Sequence, residues 1–373
     1  MGGMLHPEIA SLTELDRALS DGRSLRGLRL QDLDLRGREG ELLAHRAIEG
    51  LVVLGGRLSP ELDAHLRAQG ALIFPTDPGL PVNPYRAQLY RPTELYEGLT
   101  ESGYGATPDA HAYAWSQDPD RRRDAYATLI TAIHDDSVLD ALGEVVQGRS
   151  VVGVMGGHAE KRGTSQYAQA AHLGLRLADR GFLVATGGGP GAMEATNLGA
   201  FTTSSSDLED ALSELARAPG FADSIDRWAL PALRLHERLA PDPSVPARSL
   251  GVPTWFYGHE PPNLFCRWVA KFFSNAIRED VLLARCDAGV IVLPGAAGTV
   301  QEVFQTATHL YYGKAERQPP LVLVGREHWT STLPVWEVLR CLADGRTMEP
   351  AIHLVDSVDE ALDVVGNPPE MPQ

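Results

Sequence analysis

The stretch that decides the fold runs from Phe182 to Ala195 and reads FLVATGGGPGAMEA. Its first four residues are apolar and fit a buried β-strand, and a glycine-rich loop follows almost directly. The residues after Gly191 favour a helix, so the loop is expected to lead into one. This order of strand, glycine loop and helix is typical of parallel α/β sheets, which bind ligands at the carboxyl ends of their strands.

Three more apolar strands are predicted in the same part of the chain. The strand over 151–155 ends in Gly156 and Gly157, and the strand over 288–293 ends in a second glycine-rich loop. A fourth strand is predicted over 321–324. Apolar strands that alternate with helices predict an α/β fold, a Rossmann-like doubly wound parallel sheet with helices on both faces.

The length of 373 residues favours about two domains. Residues 1–140 read as a small α/β domain, with short strands over 51–54 and 71–74 and a helix that starts at Pro60. Residues 141–373 are expected to form the nucleotide-binding domain.

Three other segments have a distinct character. Residues 100–119 show little periodicity and read as a connector or surface loop, whereas a helical pattern runs from about Asp120 to Val146. Residues 202–246 are acidic and then rich in alanine and proline, which favours an insertion or a lid.

The formal net charge of −16 argues against a nucleic-acid or anionic-membrane partner, since such binding depends on cationic contacts with phosphates. A small phosphorylated ligand remains compatible with this charge. The sequence shows no secretory signal, no apolar run of about 20 residues and no CxxC pair among its cysteines. We therefore expect a cytoplasmic protein with reduced thiols, without a metal site and without a cofactor.

The glycine loops are the candidate binding site. Glycine lets backbone N–H groups approach a ligand closely, and the following helix adds the positive end of its dipole, which suits a phosphate. Gly187, Gly189 and Ala192 also match the spacing of the dinucleotide fingerprint. That fingerprint needs a second strand ending in an acid about 20 residues further on, and the chain there reads as a polar loop. A dinucleotide oxidoreductase is therefore the weaker interpretation.

Two motifs, GGGPGAMEA over 187–195 and PGAAGTVQE over 294–302, together resemble the LOG family. Its members are cytokinin-activating nucleotide phosphoribohydrolases, often mislabelled lysine decarboxylases. The second motif is similar to the family signature P-G-G-x-G-T-x-x-E, except that Ala296 replaces a glycine and Gln301 replaces an acid that many members carry. Ile277-Arg278-Glu279 resembles the family's arginine-bearing segment. The resemblance covers roughly residues 150–365, so the chain is similar to longer members with an extra N-terminal domain.

The resemblance implies hydrolysis of a nucleoside 5′-monophosphate to free base and ribose 5-phosphate, with Glu302 and Arg278 as catalytic residues. It also implies a homodimer or larger homo-oligomer. A non-catalytic nucleotide sensor that uses the same loops is the alternative. The expected substrate-binding residues are those of the glycine loops and the helix starts: Gly156, Gly157, Gly187, Gly188, Gly189, Gly191, Met193, Glu194, Pro294, Gly295, Ala296, Ala297, Gly298 and Thr299.

The residues themselves agree with that chemistry. Cleavage of an N-glycosidic bond passes through a positively charged ribose, which a carboxylate such as that of Glu302 stabilises. The alternative for Glu302 is an acid placed in a first helical turn for the helix dipole. Lysine decarboxylation is excluded, because pyridoxal phosphate needs a Schiff-base lysine and the glycine loops contain none.

Further side chains carry more open interpretations. Glu194 is expected to touch the ribose hydroxyls or to serve the helix dipole, and Thr299 to bind phosphate or cap its helix. His309 and the aromatic run 255–257 are expected to be structural. Four polar residues, spaced for one face of a helix, would hold phosphate or form a solvated basic face: Arg267, Lys271, Ser274 and Arg278.

Overall fold

The computed structural model describes residues 8–242, 244–256, 260–314 and 318–367. Within these residues the chain forms two compact units. The first unit contains the residues up to 89 together with 123–142, and the second contains 90–122 together with the residues from 143 onward.

The first unit contains a four-stranded parallel sheet in the order β1-β2-β3-β4. Leucine and isoleucine side chains from the strands and from three helices fill its core, which explains the leucine-rich character of this part of the sequence. The predicted strands over 51–54 and 71–74 are observed within one residue. In chain order the elements are β1 (Glu8–Ile9), α1 (Leu12–Ser20), β2 (Arg29–Gln31), α2 (Glu39–Ala44), β3 (Val52–Leu54), α3 (Pro60–Ala68) and β4 (Leu72–Phe74).

Residues 90–117, which we call the strap, belong to the second unit rather than to the first. The strap contains α4 (Pro92–Leu95), α5 (Leu99–Ser102) and α6 (Pro108–Gln117). The expectation of a connector or surface loop over 100–119 is therefore wrong for most of that range. Thr107 caps α6 and Pro108 occupies its first turn, so the helix has a local start signal that its weak apolar periodicity hides.

A buried charge cluster holds the strap against the rest of the second unit. Asp109 accepts hydrogen bonds from Lys271 Nζ at 2.6 Å and Trp255 Nε1 at 2.8 Å, both on Oδ1, and from the Tyr104 hydroxyl at 2.6 Å on Oδ2. Asp109 and Lys271 are each only 1% exposed. Because a buried ion is stable only when paired and hydrogen-bonded, these contacts fix the strap against the segment around Lys271.

The chain passes from the first unit to the second within α7 (Ala125–Val146), the helix predicted over 120–146. The second unit is built on a seven-stranded sheet in which every pair of neighbouring strands is parallel. Its strands are β5 (Val151–Met155), β6 (Leu183–Thr186), β7 (Ser249–Gly251), β8 (Trp268–Val269), β9 (Gly289–Val292), β10 (Leu321–Val324) and β11 (Ile352–Val355).

Eight further helices accompany these strands. They are α8 (Ser165–Asp179), α9 (Ala192–Phe201), α10 (Ser205–Leu215), α11 (Ile225–Leu239), α12 (Asn275–Ala284), α13 (Ala297–Tyr312), α14 (Val335–Ala343) and α15 (Val358–Val365). Within residues 202–246, the segment expected to be an insertion or a lid, the structure forms α10 and α11. No helix in the described ranges is long and apolar enough to cross a membrane.

The strand order is β11-β10-β9-β5-β6-β7-β8. The chain runs outward from β5 through β6, β7 and β8, then crosses to β9 on the other side of β5 and runs outward again. This arrangement confirms the predicted Rossmann-like α/β fold. It also places the point where the strand order reverses between β5 and β9, where open parallel sheets bind ligands at the carboxyl ends of their strands.

The strap makes a prediction about stability. Replacing Asp109 with Ala leaves the Lys271 ammonium group buried without its partner. We expect a loss of about 3–5 kcal/mol in the free energy of unfolding, measured by urea denaturation. Asp120→Asn is the matched control, since Asp120 is exposed. A loss of less than about 1 kcal/mol for Asp109→Ala would contradict a stabilising role of this cluster.

Candidate functional site

Three glycine loops meet at the reversal of strand order, one after each of β5, β6 and β9. Gly157 N–H donates a hydrogen bond to the Pro294 carbonyl at 3.3 Å, and Ala192 N–H donates to the Gly157 carbonyl at 3.1 Å. The loop after β5 therefore links the loops that follow the other two strands. The structure thus brings together Gly156, Gly157 and both glycine motifs predicted from the sequence.

Glycine is required at two positions of the loop after β6. Gly191 has φ of +75°, and a Cβ there would lie 2.5 Å from the Gly157 carbonyl oxygen. Gly188 has φ of +72°, and its Cβ would lie 2.7 Å from Pro253 Cδ. The positive φ and the close neighbouring atom each exclude a side chain at these two positions. The backbone of this loop is therefore packed directly against its neighbours.

The helices that follow two of these loops lack side-chain caps. Neither Gly191 before α9 nor Ala296 before α13 provides a capping hydrogen bond. Across the ranges the structure covers, the N–H groups of Gly298 and Thr299 have no acceptor. Uncapped first-turn N–H groups are the usual donors to a bound anion. By contrast, eight helices carry a Ser or Thr cap, namely Ser11, Ser59, Thr107, Thr164, Ser204, Ser224, Ser274 and Ser357.

The loop after β9 accommodates the departure from the family signature. Ala296 has φ of −117°, a conformation that any residue adopts, so its methyl group introduces no backbone strain. Gly295, in contrast, must be glycine, because a Cβ there would lie 2.1 Å from Thr299 Oγ1. Thr299 lies inside α13 rather than at its cap position, so the capping alternative for Thr299 is wrong.

Arg278 lies in α12, whose N-cap is Ser274, and its side chain is nearly buried. Its Nε donates to the Val252 carbonyl at 2.7 Å, and Nη2 donates to the Gly187 carbonyl at 3.4 Å. Nη1 lies 3.8 Å from Glu302 Oε1. The guanidinium group therefore connects the loop after β6 to the carboxylate on α13.

Glu302 lies in the second turn of α13, because the helix begins at Ala297 and not at Val300. The alternative of a first-turn acid placed for the helix dipole therefore does not apply. Glu302 is 8% exposed, and burial raises the pKa of its carboxyl group to about 7. Arg278 opposes this rise in pKa, whereas the nearby Glu279 carboxylate adds to it. A pKa near neutrality suits a group that exchanges protons during a reaction.

Glu194 does not reach the site as expected. Its side chain is fully buried and pairs with Arg162, whose Nε donates to Glu194 Oε2 at 2.9 Å and whose Nη2 donates to Oε1. Arg162 also donates to the Trp228 carbonyl at 2.8 Å, in α11. The Glu194 carboxylate is thus committed to an internal ion pair that holds the segment around α11. The neighbouring Met193 side chain does face the loop, since Sδ lies 2.7 Å from where a Gly187 Cβ would be.

The expected helix face with Arg267, Lys271, Ser274 and Arg278 is wrong. Arg267 precedes β8, Lys271 follows it, Ser274 caps α12, and only Arg278 lies in the helix. Lys271 is not solvated either, because it is buried against Asp109. The four polar residues have helical spacing in the sequence, but they flank a strand and lie at the start of a helix rather than along one helix face.

Several residues near the loops were not predicted. His158 Nδ1 lies 3.3 Å from Glu260 Oε1, and Glu260 Oε2 lies 3.6 Å from the position of a Gly189 Cβ. His328 Nε2 lies 3.1 Å from the Gly295 carbonyl oxygen. No sequence signal identifies these residues, since they come from separate loops. Among the described residues there is no cluster of metal-ligating side chains.

The structural roles expected for the aromatic run 255–257 and for His309 have different outcomes. Trp255 is buried, as expected for a core residue, but Phe256 is 56% exposed. Tyr257 and His259 lie outside the described residues. His309 Nε2 lies 3.2 Å from Asp280 Oδ1 in a largely exposed pair, which agrees with a structural role.

The glycine geometry makes a matched prediction. Gly191→Ala forces a side chain into a positive-φ position against the Gly157 carbonyl, and we expect a loss of about 1–3 kcal/mol in unfolding free energy. Gly298→Ala meets no atom within 4 Å and should leave the unfolding free energy unchanged within about 1 kcal/mol. Equal effects of the two substitutions in urea denaturation would contradict this account of the loop.

The buried Glu302 makes a prediction about pH. Its native pKa of about 7 lies above its ordinary value of 4.5, so the native state holds this proton more tightly than the unfolded state. The contribution of the Glu302 side chain to the free energy of unfolding is therefore present below pH 4.5 and is lost as the pH rises from 4.5 to about 7. Glu302→Gln lacks this titrating group. We therefore expect its free energy of unfolding, relative to that of wild type, to be about 3 kcal/mol higher above pH 7 than below pH 4.5. Parallel stability curves for the two proteins, measured by urea denaturation across this pH range, would contradict the prediction.

Two family models match parts of the second unit. A family model described as possible lysine decarboxylase matches residues 245–367. A model of the SLOG cluster4 family matches residues 149–206. The search of curated proteins gave no match.

Two solved structures are similar at low identity. One is the molybdenum cofactor binding protein from the phototrophic bacterium Rippkaea orientalis, with 15% identity and a TM-score of 0.35, covering 58% of this chain and 95% of that one. The other is a Moco carrier protein from Chlamydomonas reinhardtii, with 16% identity, a TM-score of 0.35 and the same coverage. The two family models between them contain both glycine motifs, Arg278 and Glu302. These matches over residues 149–206 and 245–367 support the LOG-like family that the sequence motifs predicted.

Proposed function

We propose that the second unit hydrolyses the N-glycosidic bond of a nucleoside 5′-monophosphate, giving the free base and ribose 5-phosphate. The observation that carries the proposal is the buried pair of Arg278 and Glu302 beside the uncapped starts of α9 and α13. This pair supplies a cation and a titratable carboxyl group where the helix starts offer N–H donors for a phosphate.

The phosphate is expected to bind at the start of α13. Gly298 and Thr299 offer free N–H groups, and the helix dipole favours a negative charge there. Holding the phosphate by N–H groups agrees with a protein of net charge −16, since it needs few cationic side chains. The ribose of a nucleotide held in this way lies toward the second turn of the helix, where Glu302 is placed.

Glu302 and Arg278 then have complementary roles. As the bond to the base lengthens, positive charge develops on the ribose, and a carboxylate close to it lowers the energy of that state. Arg278 cannot move freely, because its Nε and Nη2 are bound to backbone carbonyls, so it holds the Glu302 side chain in one place. Fixed charges of this kind need little rearrangement during the reaction.

The reaction is tested by product analysis. Incubation with a panel of nucleoside monophosphates, including AMP and its N6-prenyl analogue, should release free base, measured by chromatography. We expect Glu302→Gln to lower kcat/KM by about 10²–10⁴-fold for the best substrate. Glu337→Gln, an exposed glutamate on α14, is the matched control and should retain wild-type activity.

Two outcomes would contradict the hydrolase proposal. One is equal activity of Glu302→Gln and wild type. The other is tight nucleotide binding by calorimetry with unchanged nucleotide recovered afterwards, which would favour the non-catalytic sensor instead.

A further inference from the structure

A second buried carboxyl group shares the guanidinium of Arg278. Glu279, the next residue on α12, is 6% exposed, and its Oε1 lies 3.9 Å from Arg278 Nη1. The same Nη1 atom lies 3.8 Å from Glu302 Oε1. Two carboxyl groups therefore flank one cationic nitrogen, and a single positive charge cannot fully compensate both when they are ionised.

The two carboxyl groups have different surroundings. Asn275 Nδ2 donates a hydrogen bond to Glu279 Oε1 at 2.8 Å, and Gln301 Nε2 donates to Glu279 Oε2. The Glu302 side chain accepts no hydrogen bond from any residue with described coordinates, and its closest charged neighbour is Arg278. The two carboxyl groups are thus asymmetric in their hydrogen bonding.

Other charged groups around Glu302 do not cancel this asymmetry. α13 packs against α12, α14, β9 and β10, and the two strands consist of uncharged residues. On α14, Glu337 and Arg340 are largely exposed and pair with each other at 3.2 Å. The thiol of Cys286 lies near Glu302, and burial raises the pKa of that thiol, so it stays neutral. Arg278 and Glu279 are therefore the charges that act on Glu302.

We propose that Glu279, which accepts hydrogen bonds from the amides of Asn275 and Gln301, is a positioning residue that favours the protonated form of Glu302 across the shared guanidinium of Arg278. The inference rests on the proposed hydrolysis and deepens it, because it assigns Glu302 as the general acid. Where two carboxyl groups in one site have surroundings that separate their proton affinities, the group that keeps its proton is the acid.

The proton transfers then balance. The bond between C1′ and the base nitrogen breaks, its electron pair goes to the base, and the nitrogen takes the proton from the Glu302 carboxyl group. The Glu302 carboxylate formed in this way is the negative group that stabilises the positively charged ribose. A water oxygen forms the new bond to C1′ and returns one proton to the Glu302 carboxylate. Glu279 exchanges no proton and only maintains the negative charge beside Glu302.

The test uses Glu279→Gln, which removes the charge and keeps the shape. We expect Glu302 to titrate at lower pH, so that its ionised fraction within the titration range rises roughly three- to tenfold. Carbon NMR of labelled glutamate carboxyl groups measures this directly, with Glu302→Gln assigning the signal. Asp280→Asn is the matched control, since it removes a carboxylate from α12 at a position 64% exposed and paired with His309. The control should leave the Glu302 titration unchanged.

Gln301→Met provides a second variant in case Glu279→Gln alters the fold. It removes one donor to Glu279 and keeps the side-chain length, so Glu302 should again titrate at lower pH, by a smaller amount. Under the proposal, the pH at which kcat/KM falls is also lower in both variants. The shift is larger for Glu279→Gln than for Gln301→Met. A Glu302 titration that is unchanged in Glu279→Gln, or changed equally in Asp280→Asn, would overturn the proposal.

This experiment separates the two proposals. If no monophosphate releases base but the Glu302 titration moves as expected, the hydrolase proposal fails and the role of Glu279 in fixing the proton stands. If base is released and Glu302→Gln is inactive, yet the titration does not respond to Glu279→Gln, the hydrolase proposal stands and the role of Glu279 fails.

Discussion

The arrangement of the site depends on the guanidinium group of Arg278. A cation that is nearly buried is stable only where acceptors replace the water it has lost. Here those acceptors are two backbone carbonyls, of Val252 and Gly187, and the carboxyl groups of Glu279 and Glu302 add negative charge within 4 Å of Nη1. The carbonyls belong to the segments that follow β7 and β6, so one side chain from α12 fixes two neighbouring segments at the carboxyl edge of the sheet. A side chain at Gly187 would displace this guanidinium group, because a Cβ there would lie 2.3 Å from Arg278 Nη2.

The same constraint bears on the proposed binding of a phosphate by an acidic protein. The side chains around the guanidinium carry two carboxyl groups against one cation, which disfavours an anion bound at that point. The helix starts after the glycine loops offer another source of positive potential, through N–H groups that no side chain caps. Under the proposed function, a phosphate at these helix starts would lie apart from the carboxyl groups, so the negative groups would not be in contact.

Local patterns predicted the framework of the second unit well. Strand β6 was expected over 182–185 and observed over 183–186, and Arg278 and Glu302, 24 positions apart in sequence, are in contact. Short strands such as β7 and β8 carried too few residues for a periodic signal. The strap was not recognised because its burial depends on partners far along the chain, such as Lys271 for Asp109. Glu194 does lie in the first turn of α9, as the helix-dipole alternative expects, but its pairing with Arg162 was not predicted, since Arg162 lies in a loop that no local pattern connects to α9.

The two departures from the family signature have unequal physical consequences. Ala296 occupies a conformation open to any residue, so the loss of glycine there changes little. Gln301 changes the electrostatics, because its amide donates to the Glu279 carboxylate. An acid at position 301 would place a third carboxyl group beside a single guanidinium and would offer Glu279 repulsion in place of a hydrogen bond. A glutamine at 301 and a glutamate at 279 are therefore compatible with each other, whereas the pKa of Glu302 is raised to about 7 mainly by burial, with a smaller contribution from the Glu279 carboxylate.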